Sequence, residues 1–576
     1  MAKMNLKNKI ILSFLFFFLL GQGVEAQSSR ALKYFISFKD KATTKYSLSS
    51  PQTFLSARAI SRRQKQQIPV TERDLPVSQT YIDQVKATGA VVWYSSRWMN
   101  GVLIEATPAV LKKIQALSFV KGAPILTKSK ATEEPENLRK RTFTYLSGTN
   151  EQKVEDGTRS GLVIEQMEDY GKSFGQVSML GADEMHQSGH RGQGMVVAIF
   201  DAGFNNVDEI PAFKHLFKEQ RILGTYDFVK HEESVFEDDD HGRMVLSCIA
   251  AYDRGQMIGT APEASFYLFR TEDAYSEYRV EEYNWLVAAE KADSLGVDVI
   301  NSSLGYNNFD DATMSYRYED MDGKTAIISQ AAEFASEVGM IVVSSAGNEG
   351  GNKWKYITAP ADAPSVLSVG AVTSKQKIAY FSSRGNTSDG RIKPDLVAQG
   401  QSTRVVKRDG SVGAASGTSF SAPVMCGLVT SFWGANPQLT SRQVVSYLKR
   451  AGSQSVRPDS TYGYGLPSYI TAQNLVNREL GPYGLLTGKN ANAFQVFPNP
   501  VEAGNIPTIA WGANYQPKAL EIQVFDNAAR KLVTIKVNKA GKETTLPMLN
   551  QLPKGEYLIQ VNPALSDQRT AKLIIQ

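Results

Sequence analysis

Between about residues 175 and 475 the chain alternates short, wholly apolar runs with longer stretches of helical periodicity, and nothing else in it constrains the fold as strongly. Met195–Phe200, Val297–Ile300 and Met340–Val343 are too short for helices. Between them, Trp285, Ala289, Ala292 and Leu295 fall near helical spacing, as do Ala331, Ala335 and Val338. A strand that is apolar throughout must be buried on both faces, and a helix after each strand returns the chain so that the next strand runs parallel. The expected fold is α/β, a parallel sheet with helices on both faces. Its ligand sites belong at the carboxyl ends of the strands.

Four other regions read differently. Lys3, Lys7 and Lys9, the apolar run Ile10–Leu20, and small residues Val24 and Ala26 before Gln27 make residues 1–26 a secretory signal peptide. That apolar run is short for the roughly 20 residues of a membrane helix. Residues 27–125 hold strand-like segments at Leu32–Phe38, Val91–Tyr94 and Gly101–Ile104, with helices at Tyr81–Ala87 and Pro108–Leu117, which suggests a small α+β domain. Residues 126–174 are largely polar, with Glu133–Glu136 followed by Arg139–Arg141, and read as an exposed linker open to proteolysis. From 490 to 576, short runs at Phe494–Phe497, Leu520–Phe525, Leu532–Val537, Tyr557–Val561 and Lys572–Ile575 indicate an all-β sandwich.

With 63 basic and 58 acidic residues, the net charge of +5 is too mild to imply a nucleic-acid partner. The 2 cysteines cannot build a disulfide framework or a four-thiolate zinc site. Cys248 and Cys426 both lie among small and apolar residues and read first as buried free thiols, with a bridge between them left open.

The central region carries four chemical signals. Asp201 follows a buried strand, in Asp201–Ala–Gly203. His241 opens a run of small residues in Asp240–His241–Gly242. Gly347–Asn348 follows another buried strand, and its side-chain amide can donate a hydrogen bond. Gly417–Thr–Ser419–Phe–Ser–Ala–Pro423 leads into a helix reaching about Trp433, with Ser419 in its first turn, where Pro423 is tolerable. The unpaired N–H groups of a helix start favour negative charge. Taken singly, three of them have plain structural readings: a loop carboxylate for Asp201, a structural histidine for His241 and an N-cap serine for Ser419.

Together these segments resemble the subtilisin-like serine peptidases, in the chain order Asp, His, Ser with an Asn between the last two. The resemblance implies a triad of Asp201, His241 and Ser419, with Asn348 and the Ser419 N–H as oxyanion donors. It also implies that Ser303–Leu304–Gly305, after the Val297–Ile300 strand, pairs its backbone with an extended substrate; the plain alternative is a tight loop. Ala202, Arg243, Met244, Leu246, Ser247 and Ser421 depart from the family's usual residues without removing a catalytic atom. Residues 27–125 resemble the inhibitory propeptides of such enzymes. The C-terminal segment, with Phe497–Pro–Asn–Pro500, Ile522–Asp526, Leu552–Tyr557 and Lys572–Gln576, resembles type IX secretion sorting domains.

The resemblance implies a secreted or cell-surface serine endopeptidase, exported through the periplasm. Its expected partners are protein or peptide substrates, its own propeptide as intramolecular inhibitor, and the type IX machinery. No cofactor is expected for the chemistry and no metal at the catalytic site. Structural calcium would suit the family, with ligands unassigned. Asp238–Asp240 read instead as a solvated acidic loop, His186 and His190 as no metal pair, and His215 and His231 as surface residues. Two other functions stay open: an inactive subtilisin fold used for binding, and a hydrolase of esters. The Gly-x-Ser-x-Gly elbow usual for the latter is absent at Ser419.

Overall fold

The structure is a computed structural model and describes residues 31–127, 169–480 and most of 494–575. The expected signal peptide and nearly all of the expected linker, Arg139–Arg141 included, lie outside the described residues.

The first unit is a four-stranded antiparallel sheet of β1 (Leu32–Phe38), β2 (Val91–Ser96), β3 (Gly101–Ala106) and β4 (Val120–Gly122), in the order β2-β3-β1-β4. Helices α1 (Ala57–Lys65), α2 (Gln79–Ala87) and α3 (Pro108–Gln115) complete it. Each helix starts on a hydroxyl cap, Ser56, Ser78 or Thr107, which accepts a backbone N–H of the first turn. The alternation of β1 divides its side chains between two cores. Tyr34, Ile36 and Phe38 pack with Ile82, Val85 and Ile114. Phe35 points the other way, with Tyr94, Trp98 and Leu103, into a cluster shared with the second unit. Helix α1 was not expected, because its sequence shows no apolar face.

The second unit is a seven-stranded sheet of β5 (Val196–Asp201), β6 (Ile222–Asp227), β7 (Ser265–Arg270), β8 (Val299–Ser302), β9 (Ile341–Ser345), β10 (Leu367–Val372) and β11 (Leu396–Gln399). Every pairing is parallel, in the order β11-β10-β9-β8-β5-β7-β6. Strand β5 is buried along its whole length, as its apolar run predicts. Val197 and Ile199 face a cluster that includes helices α4 (His241–Ala250) and α7 (Thr418–Ala435). Val196, Ala198 and Phe200 face the opposite cluster, with α5 (Val280–Leu295) and α6 (Ile327–Glu337). The strands after β5 fill first one side of it and then the other, so the order reverses there and leaves a crevice at its carboxyl end.

The last unit pairs a three-stranded and a four-stranded antiparallel sheet around one core. Besides the five expected strands it contains Thr508–Trp511 and Glu543–Thr545, which are too short to show a period of their own. Among the described residues, no helix is long and apolar enough to cross a membrane.

Candidate active site

Asp201 ends β5 at the crevice and is 1% exposed. His241 is the first residue of α4, and its N–H donates to Asp239 Oδ1 at 2.8 Å. Strand end and helix start meet closely because both carry glycine. A Cβ on Gly242 would overlap the Gly203 carbonyl, and one on Gly203 would overlap the Asp239 N–H. This approach lets His241 Nδ1 reach Asp201 Oδ1 at 2.7 Å, and the Ala202 N–H donates to the same oxygen at 2.9 Å. Burial works against a charged imidazole here. The adjacent Asp201 carboxylate, with Asp239 and Glu272 beyond it, outweighs burial and holds the His241 pKa above its ordinary value.

Ser419 lies in the first turn of α7, where its N–H has no partner within the helix. Phe420 brings that turn against His241, with ring centroids 5.6 Å apart. Asn348 follows β9 through Gly347, whose φ of 107° suits glycine. Thr418 donates to Asn348 Oδ1 twice, from its N–H at 2.8 Å and its hydroxyl at 3.0 Å. The amide's acceptor is thus engaged in holding Asn348 against the start of α7.

Pro423 is the sixth residue of α7, beyond the first turn expected for it. It removes the N–H that would have bonded the Ser419 carbonyl. Ser303 supplies the missing donor: its hydroxyl donates to the Ser419 carbonyl at 3.0 Å and accepts from Asn301 Nδ2 at 2.9 Å. Ser303 and Leu304 are buried and Gly305 is half-buried, directly after β8. Residues far apart in the chain, Asp201, His241, Ser303, Asn348 and Ser419, therefore converge at one end of the sheet.

Several surrounding residues differ from expectation. Asp238–Asp240 are not simply solvated. Asp239 is buried, Asp238 accepts from Lys230 at 2.6 Å, and Asp240 accepts from Arg243 at 2.9 Å. The buried Arg243 also donates to the Asn205 carbonyl at 2.8 Å, so this departure from the family pattern is a satisfied tie between loops. Ser247 and Ser421 likewise bond the Met244 and Thr418 carbonyls. His215 is half-buried rather than on the surface, and burial lowers its pKa. His186 is buried, with one ring nitrogen 2.8 Å from the Tyr170 hydroxyl and the other 3.0 Å from the Thr260 carbonyl. Cys248 and Cys426 are buried free thiols. Among the described residues, no group of three or more His, Cys, Asp or Glu is arranged to hold a metal. The roles of Thr418, Asp239 and Arg243 escaped the sequence reading, since each depends on a partner brought close only by folding.

Comparison with known proteins gives the same outline. The family model described as "Subtilase family" matches residues 192–465. "Peptidase S8 propeptide domain, Bacteroidota" matches 33–141, and "Secretion system C-terminal sorting domain" matches 495–576. Subtilisin E of Bacillus subtilis is 29% identical over 294 residues, 50% of this chain and 68% of that protein. Subtilisin of Bacillus pumilus is 28% identical over 293 residues, 50% of this chain and 94% of that protein. The human membrane-bound transcription factor site-1 protease is 30% identical over 261 residues, 44% of this chain but 22% of that protein. The sorting tail marks the chain for secretion or cell-surface export. Residues 192–465 belong to the subtilase family of serine peptidases, and the chain carries them between a Bacteroidota-type S8 propeptide domain and a type IX sorting domain.

Proposed function

We propose that the chain is the precursor of a secreted serine endopeptidase that hydrolyses protein substrates through Asp201, His241 and Ser419. The observation that carries this reading is the buried 2.7 Å bond between Asp201 and His241, formed where the start of α7 presents Ser419. A serine hydroxyl is a weak nucleophile until a base takes its proton. In this reading His241 takes it as Ser419 Oγ attacks the scissile carbonyl, then returns it to the leaving amine. Asp201 holds the imidazole in the required tautomer and stabilises its protonated form. The Asn348 amide and the Ser419 N–H receive the oxyanion, and water releases the acyl group. Each step uses the chain's own groups. Residues 303–305 pair with the substrate backbone, a mode of recognition that tolerates many sequences. Residues 27–125 act as the inhibitory propeptide, 126–174 as the processing region, 175–475 as the peptidase domain and 490–576 as the sorting domain.

The test compares purified precursor with Ser419→Ala and Asn348→Ala variants, using an unfolded protein substrate and a fluorescent serine-hydrolase probe. Wild type is expected to shorten, to label and to digest. Ser419→Ala is expected to do none of these, and Asn348→Ala to lose about 10²–10³ in kcat. A folded wild type that neither labels nor digests after separate removal of the propeptide would overturn the reading.

A further inference from the structure

Arg270 is the last residue of β7 and is 2% exposed. The mechanism above gives it no part, yet its guanidinium reaches both loops that carry the triad's Asp and His. In the sheet register it lies opposite Asp201 on one side and Asp227 on the other. Its Nε donates to the Ala202 carbonyl at 3.0 Å. Ala202 is the residue whose N–H bonds Asp201 Oδ1, the oxygen that receives His241 Nδ1. Its Nη1 donates to Asp227 Oδ2 at 2.7 Å and lies 3.4 Å from Asp238 Oδ2. Asp238 precedes Asp239, whose carboxylate accepts the His241 N–H, and the Asp239 carbonyl accepts the Asn205 N–H at 3.0 Å. Nη2 lies 3.8 Å from Asp273, so carboxylates flank the guanidinium on three segments.

We propose that Arg270 is a positioning residue for the reaction, clamping the exit of β5 against the acidic loop before α4 so that the Asp201 carboxylate and the His241 ring keep their alignment. The inference rests on the peptidase reading given above. A planar guanidinium suits this task because its donors diverge in fixed directions from one buried point; the single ammonium of a lysine cannot bond Ala202 and Asp227 in the same way. Arg270 acts through Ala202 and Asp238. Its loss would therefore be felt in the rate of the chemical step rather than in substrate affinity, and a misplacement of about 1 Å can cost on the order of 10² in rate.

The experiment measures kcat, KM and the pH profile for wild type, Arg270→Met, Arg270→Lys and Asp238→Asn. Helix content and thermal melting are recorded in parallel. For Arg270→Met the expected result is a folded protein with kcat lower by on the order of 10², KM within about twofold of wild type, and the acid limb of the profile moved to lower pH. That direction follows if Asp201 no longer holds the imidazole, and it is opposite to the direct effect of removing the guanidinium charge, which alone would move the limb to higher pH. Asp239 and Glu272 also face His241 and are unchanged in these variants. Arg270→Lys should recover part of the loss, and Asp238→Asn should show a smaller loss with the same displacement of the limb. A folded Arg270→Met with wild-type kcat and limb overturns the proposal, as does a loss confined to KM. If Arg270→Met does not fold, an Asp238→Asn protein indistinguishable from wild type overturns it instead. A wild type without hydrolysis or Ser419 labelling sinks the peptidase reading itself, an outcome separate from any difference among the variants.

Discussion

At the scale of single residues, the charge around His241 sets when the base is available. Burial alone would keep the imidazole neutral, but Asp201, Asp239 and Glu272 outweigh it, so the ring holds its proton to higher pH than an ordinary histidine of about 6.5. General-base action needs the neutral ring. On the proposed mechanism, activity is expected above the raised pKa and is expected to be lost as pH falls through it. Removing a neighbouring negative charge should let the base stay neutral to lower pH. Asp239→Asn is the sharper test, because it keeps an acceptor for the His241 N–H while removing the charge. The acid limb of kcat/KM is expected to move to lower pH in Asp239→Asn and in Glu272→Gln. A limb that stays in place in both variants would show that these carboxylates do not act on the ring.

At the scale of elements, helix α7 starts with a defect that another element repairs. Pro423 leaves the Ser419 carbonyl without its helical donor, and Ser303, after β8, provides one. Ser303→Ala is expected to cost about 1–3 kcal/mol, since it leaves a buried acceptor unpaired. Pro423→Ala restores the amide, so Ser303→Ala should cost less when both changes are present, by about 0.5–3 kcal/mol of coupling. Denaturant unfolding of the four proteins, each also carrying Ser419→Ala to prevent self-digestion, measures this; simple additivity would disprove the repair. The same region shows what the sequence could reveal. Apolar runs made β5, β8 and β9 legible, and the short segments around Asp201, His241, Asn348 and Ser419 marked the candidate site. The function of Ser303 was not legible, because the carbonyl it bonds lies in a distant segment and its need arises from where α7 begins. Helix α1 was not legible for a related reason. Its buried side chains are Ala59, Arg62 and Arg63, and arginines register as a buried face only once their carboxylate partner is known.

At the scale of the whole molecule, that partner is Asp293. It lies on α5 of the subtilase-family domain and is 0% exposed. Arg62, Arg63 and Arg97 of the N-terminal domain all pair with its carboxylate. Burial, the largest influence on Asp293, works against its charge, but the three guanidinium groups together outweigh it and hold the carboxyl below the usual range. The arginines are in turn tied down: Arg63 to Asp74 at 2.8 Å, and Arg97 to the Ser294 hydroxyl at 2.7 Å. Around this hub the contact is aromatic, with Phe35 stacked on Tyr283 at 4.5 Å and Trp98 edge-on to Phe334 at 6.3 Å. Aromatic burial supplies area, whereas loss of the Asp293 carboxylate takes the paired acid from buried Arg62 and Arg97 and leaves Arg63 with Asp74 alone. Breaking a buried pair from one side costs about 3–5 kcal/mol. Asp293→Asn should therefore loosen α1 far more than removal of any one arginine partner on the rim, such as Arg58 with Asp298. In a Ser419→Ala precursor, trypsin can cut after Arg62 and Arg63 only when α1 leaves its seat, so the rate of those cuts reports the open fraction. The added Asp293→Asn change is expected to raise that rate by at least about 10²-fold, the equilibrium equivalent of roughly 3 kcal/mol. Equal cutting in the two proteins, read as fragments ending at Arg62 or Arg63, would place the docking energy in the aromatic contacts and not in the hub.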